Sequence, residues 1–175
     1  MGKKQVSIVV LALFLMSFGI PKHIKKKVEK EIRETFQVDQ FNLMSIDIPV
    51  ETAQDLPSTF GSDNFFKIEE NQKLLGYAYI AQAPSKTAQF DYLVLLDKEL
   101  IVLKAKVLIY REEYGGEIGS KRWLKQFIGK SQHDKLKYGD NIVAISGATI
   151  SVRSMTIAMN NLLQSLKILH TKTIL

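Results

Sequence analysis

Residues 65–81 read FFKIEENQKLLGYAYIA, and the fold follows from how this stretch divides. Two β-prone runs, Phe65–Glu69 and Leu74–Ala81, flank Glu70-Asn71-Gln72-Lys73, a polar tetrapeptide too short to carry a crossover, so the runs form an antiparallel hairpin. In the second run Tyr77 and Tyr79 alternate with Ala78 and Ile80, the period of a sheet with one face covered. Outward from this hairpin the pattern repeats. Phe41–Ile48 precedes it, and Phe90–Leu96 and Ile101–Tyr110 follow, joined through Asp97-Lys98-Glu99. A helix is predicted from about Lys121 to Phe127, and a long amphipathic one follows, running to about Leu169. Met155, Met159, Leu162, Leu163, Leu166 and Leu169 form the core-facing stripe of that last helix. Upstream, Ile24, Val28, Ile32 and Phe36 recur every four residues and predict an amphipathic connecting helix over residues 22–37, with Lys25, Lys26, Lys30 and Arg33 off the stripe. The expected fold class is α+β, an antiparallel sheet with packed helices. A domain over residues 38–175 carries it, and the connecting helix stands between that domain and a membrane.

The expectation of a membrane comes from the N-terminus. Lys3 and Lys4 precede an uncharged run from Gln5 to Pro21 that is almost wholly apolar from Ser7 to Ile20, so residues 1–21 read as a signal peptide or membrane anchor. Ser17-Phe18-Gly19 has the small-x-small form of a cleavage site, while Lys22, Lys25, Lys26 and Lys27 directly after it resist translocation. The expected location is extracytoplasmic, at the cell membrane or in a periplasm. Residues 1–30 hold seven lysines and one glutamate, so the entire net charge of +6 lies there and the remainder is neutral. That placement makes anionic headgroups of a membrane surface the partner of the basic zone, and excludes nucleic acid as the explanation of a pI near 9.4. With no cysteine in the chain, disulfides, iron–sulfur clusters and thiolate zinc are excluded. His23, His133 and His170 lie far apart without metal-ligand spacing, and no metal is expected.

Two segments carry candidate chemistry. Ile145-Ser146-Gly147-Ala148-Thr149-Ile150-Ser151 is a small, hydroxyl-rich turn opening the last helix. Unpaired N–H groups and the positive end of the macrodipole make such a start suitable for a phosphate. Gly147 allows close approach, and Ser146, Thr149 and Ser151 supply hydroxyls; the bland alternative is an ordinary Ser/Thr N-cap. The second segment is Arg111-Glu112-Glu113-Tyr114-Gly115-Gly116-Glu117-Ile118-Gly119, where three glycines in five positions let backbone crowd a flat ligand and Tyr114 can cover a ring face. Its bland alternative is a loop after a hairpin. Glu112 and Glu113 are adjacent and point to opposite sides of an extended chain, which argues against a shared acid–base centre.

S-G-A-T before a C-terminal helix, preceded by a Gly-rich segment and by Trp123-Leu124-Lys125-Gln126-Phe127-Ile128-Gly129-Lys130, resembles the FMN-binding domain family, which includes the G subunit of Rnf complexes and the C subunit of sodium-pumping NADH:quinone reductases. The resemblance covers roughly the last two-thirds of the chain. It implies FMN as cofactor, bound by Ser146, Gly147, Ala148, Thr149 and Ser151, by Tyr114, Gly115, Gly116, Glu117, Ile118 and Gly119, and by Trp123. It also implies a phosphoester to Thr149 made by a flavin transferase. The family usually has an acidic residue three positions before the Ser, where this chain has Val143, and the nearest acid is Asp140. The function implied is electron transfer between redox partner proteins, such as those of a membrane electron-transfer complex, by a carrier more than by a stand-alone catalyst. The competing readings are a flavin-dependent reductase of a small acceptor and an envelope module that has lost the flavin.

Overall fold

The computed structural model of the protein describes residues 20–175, so the segment read as signal peptide or anchor lies, but for its last two residues, outside the described residues. Among the described residues no helix is long and apolar enough to cross a membrane. Five strands form one antiparallel sheet in chain order: β1 (Asn42–Ser45), β2 (Phe65–Glu70), β3 (Lys73–Pro84), β4 (Gln89–Asp97) and β5 (Val102–Ile109). The helices are α1 (Lys22–Phe36), α2 (Val50–Gln54), α3 (Lys121–Leu124) and α4 (Thr149–Thr171), with 3-10 turns at Gly116–Gly119 and Lys125–Phe127. The α+β class expected from the sequence is what the molecule has.

Local chemistry sets the meander. The β2–β3 hairpin closes on Asn71 and Gln72, both with positive φ (50° and 65°), the two-residue turn whose twist suits paired strands. At the β4–β5 turn the Asp97 carboxylate accepts from the amides of Glu99 (3.0 Å) and Ile101 (2.8 Å), while Leu100 takes φ 64°. β4 lies between β3 and β5 and is buried almost from end to end, which is why Phe90–Leu96 reads as a continuous apolar run.

Both faces of the sheet are covered, whereas the Tyr/Ala alternation suggested one. Tyr77, Tyr79, Tyr92, Val94 and Leu96 pack with Met155, Met159, Leu162, Leu166 and Leu169 of α4 and with Trp123, Leu124 and Phe127. Ala78, Ile80, Leu93, Leu95 and Leu108 face the other way and pack under Ile24, Val28 and Ile32 of α1. Size and polarity do not distinguish an exposed alanine from one beneath a helix, so the alternation does not reveal that Ala78 lies under α1. α1 is therefore part of the folded body instead of standing apart from it; burying its three aliphatic side chains stabilises the body by about 1.5–3 kcal/mol each. Polar contacts fix its rotation: Lys27 donates to the Leu108 carbonyl (2.7 Å), and the buried Glu31 carboxylate pairs with Lys104 and with Lys106 (3.3 Å). Burial alone pushes the Glu31 carboxyl up, but the two lysines outweigh it and hold the group below its ordinary value.

Candidate functional site at the start of α4

The turn Ser146–Ala148 lies where α4 begins, on the side of the sheet opposite α1. Gly147 has φ +78°, and Ala148 occupies the N-cap position. The bland alternative therefore fails, because alanine cannot cap and no side chain bonds to the first turn. The Val152 amide reaches the Ala148 carbonyl (2.9 Å), so helical bonding starts there; the Ala148 amide turns back to the Ile145 carbonyl (3.2 Å), and the amides of Thr149, Ile150 and Ser151 are left to a ligand or to water. The exposed Thr149 hydroxyl stands at the first helical residue. Ser151 differs from it: it is buried, and its Oγ lies 3.0 Å from the Tyr110 hydroxyl. The two hydroxyls that look equivalent in sequence are thus one accessible group and one packing group.

Two cavities border this turn. One, of about 440 Å³, is lined by Lys86, Tyr110, Glu112, Tyr114 and Gly147–Ser151; the other, of about 460 Å³, by Glu117, Ser120, Arg122, Trp123, Gln126 and residues 143–146. Both have the size of small-molecule pockets. Thr149 opens on the first and Ser146 on the second. Gly115 meets the turn between them. With φ +79°, a Cβ placed on it would lie 2.8 Å from the Ala148 Cβ and 3.1 Å from the Tyr110 hydroxyl, so only glycine lets the loop approach this closely.

The glycine loop is accordingly not uniform. Gly115 is required by contact; a Cβ on Gly116 would meet nothing within 4 Å; one on Gly119 would meet only Val107, at 3.9 Å. Tyr114 is 79% exposed at the mouth of the first cavity, available to cover a flat ligand. Two residues implied as flavin contacts have other duties. Ile118 is fully buried in the core and lines neither cavity, because the 3-10 turn directs it under the sheet. Trp123 borders the second cavity, but its ring is packed edge-on against Phe127, and its Nε1 donates to the Val143 carbonyl (2.8 Å). Gln126 completes this grip, its Oε1 accepting from the Val143 amide (2.8 Å). The Trp and Gln of the W-L-K-Q-F run thereby hold both polar groups of one peptide residue, three positions ahead of Ser146. Trp123 is a positioning residue of the turn. The Val143 side chain, left free, is 63% exposed.

Lys86 and Glu112 were not among the expected site residues, and both line the Thr149 cavity. Glu112 accepts from Ser85 Oγ (2.6 Å), the Thr87 amide (2.7 Å), Thr87 Oγ1 (2.9 Å) and the Ala88 amide (3.2 Å), which binds the β3–β4 loop to the segment after β5. The Ser85 hydroxyl and then the Thr87 amide are the main causes that hold its carboxyl at about 2. Beside it, Arg111 bonds the buried Asp91 (2.5 Å) and the Gln89 carbonyl (2.7 Å). No sequence pattern links residues 85–88 with Glu112, since the pairing spans the whole of β4 and β5.

With this geometry in place, the comparisons with known proteins are specific. Residues 87–164 match the model of the FMN-binding domain family, and this match indicates FMN as the cofactor. The matched stretch holds Thr149, the glycine loop and the Trp123–Gln126 grip. The fold is also that of Shewanella oneidensis NqrC in its crystal structure, at a TM-score of 0.54 and 16% sequence identity, covering 78% of this chain and 90% of that one. No curated protein matches the chain.

Proposed function

We propose that the protein is a membrane-associated, extracytoplasmic electron carrier whose FMN is esterified to Thr149. FMN, when bound, supplies the redox chemistry, accepting electrons from one partner and passing them to another. The observation that carries the reading is the uncapped, exposed start of α4, where a phosphate would satisfy amides that no side chain serves and where the Thr149 hydroxyl is the accessible nucleophile. The ester requires a flavin transferase and an activated flavin dinucleotide. Thr149 Oγ1 bonds to the FMN phosphorus, the pyrophosphate bond breaks, and the nucleoside monophosphate and the hydroxyl proton leave. Tyr114 and Ile150, exposed at the rim, give the ring an apolar border open to a protein partner. The similarity to NqrC and the lysine-flanked apolar run of residues 3–21 support placing the carrier beside a membrane electron-transfer complex.

Reduction of a small acceptor is the less supported reading. The one carboxylate of the Thr149 cavity, Glu112, is held ionised by the loop it binds and has no proton to give at neutral pH. The test is intact-protein mass after production with an active flavin transferase. The wild type and Ser151→Ala should gain one FMN less one water, and Thr149→Ala should gain nothing. An increment that persists in Thr149→Ala refutes the assignment; a yellow wild type with no increment shows FMN held without a bond.

A further inference from the structure

We propose that Lys86 is the counter-charge of the flavin phosphate at Thr149, closing from the β3–β4 loop the anion site that the first turn of α4 opens. The inference rests on the reading of that turn as the phosphate site. Among the described residues Lys86 is the only basic one lining the cavity that Thr149 shares, and it enters no ion pair there. It lies one position before the stretch matched to the FMN-binding domain family.

Charge arithmetic calls for such a group. A helix N-terminus offers the equivalent of roughly +0.5 charge, against about −1.5 to −2 on the phosphate monoester of FMN before attachment and about −1 on the diester afterwards. Glycine and threonine amides cannot make up the difference, and Glu112 in the same cavity is negative. Its charge is already committed: one oxygen takes three donors and the other takes the Thr87 hydroxyl, all from the loop that carries Lys86. The loop is further closed by the Ser85 amide on the Ala88 carbonyl at 2.8 Å, and Ser154 of α4 donates to the Pro84 carbonyl. The backbone before Lys86 is thus fastened to the helix whose N-terminus would bind the phosphate, and the backbone after it to Glu112 in the segment following β5. Only the lysine side chain has to be ordered on binding, which keeps the entropic cost small.

The experiment uses the full chain in detergent, produced without a flavin transferase so that no ester forms. Dissociation constants for FMN and for riboflavin are read from flavin fluorescence at low and high salt. Lys86→Ala should weaken FMN binding roughly five- to tenfold at low salt, leave riboflavin unchanged, and lose part of the difference as salt rises. Lys86→Arg should stay near wild type. Equal FMN affinity in wild type and Lys86→Ala overturns the proposal, as does a parallel loss for FMN and riboflavin, which would put the lysine on the ring. A wild type with no preference for FMN over riboflavin overturns the phosphate site itself. Failure of the ester alone leaves the Lys86 effect intact, and it should be as large in Thr149→Ala.

Discussion

Adding one methyl group at Gly115 should disturb the proposed flavin site more than the same addition at Gly116, its neighbour. Gly115 has φ +79°, where a Cβ costs about 1–2 kcal/mol. That Cβ would also stand 2.8 Å from the Ala148 Cβ and 3.2 Å from its Cα, contacts that are not the far end of a flexible side chain. Overpacking of this kind adds roughly 1–3 kcal/mol, so Gly115→Ala should cost about 2–5 kcal/mol in all, within the roughly 5–15 kcal/mol by which a domain is stable. The protein should stay folded with a displaced turn. At Gly116 φ is not in the left-handed region and the space is open, so Gly116→Ala should change stability by less than about 0.5 kcal/mol. Urea unfolding followed by circular dichroism, with FMN affinity measured on the same samples, compares the two. Equal stability and equal affinity in both variants would refute the idea that the Gly115–Ala148 contact sets the position of the turn.

Two further predictions follow from residues that hold the turn and its loop. Because Val143 is gripped only through its backbone and its side chain is exposed, Val143→Asp should fold as the wild type does and raise the yield of covalent FMN, read as the fraction of protein carrying the mass increment. Glu112, depressed to about 2 from an ordinary 4.5, holds the β3–β4 loop fully above pH 4.5 and lets it go as pH falls through about 2; the NMR amide shifts of Thr87 and Ala88 should move in that window and be flat in Glu112→Gln.

Strand order was legible because the turns are short and chemically marked: with Asn71-Gln72 and Asp97-Lys98-Glu99 in place, an antiparallel meander is the economical arrangement. Strand ends were less so. β3 runs on to Pro84 because β4 pairs with it that far, beyond the end of β2, a tertiary effect with no local mark. β1 is shorter than Phe41–Ile48 because only Asn42–Ser45 find partners. α2, five residues long, offers too little periodicity to read. At the site, residue types revealed a phosphate-friendly helix start but not the division of labour within it. Thr149 and Ser151 separate only through Tyr110, 41 positions before Ser151, and the bond from Trp123 to the Val143 carbonyl has no mark in the sequence. Lys86 and Glu112 were missed for the same reason: loop and carboxylate meet only after β4 and β5 have folded between them.

Ile20 and Ile24 are themselves buried under the sheet, so the chain has no slack between residue 20 and the folded body. A restraint applied at that point passes through α1 and the sheet to α4 as through a lever, not along a leash. The direction in which the Thr149 cavity faces is then fixed relative to residue 20. Lengthening the chain there by a few glycines would widen the arc that the cavity sweeps, while leaving every contact within the cavity as it is.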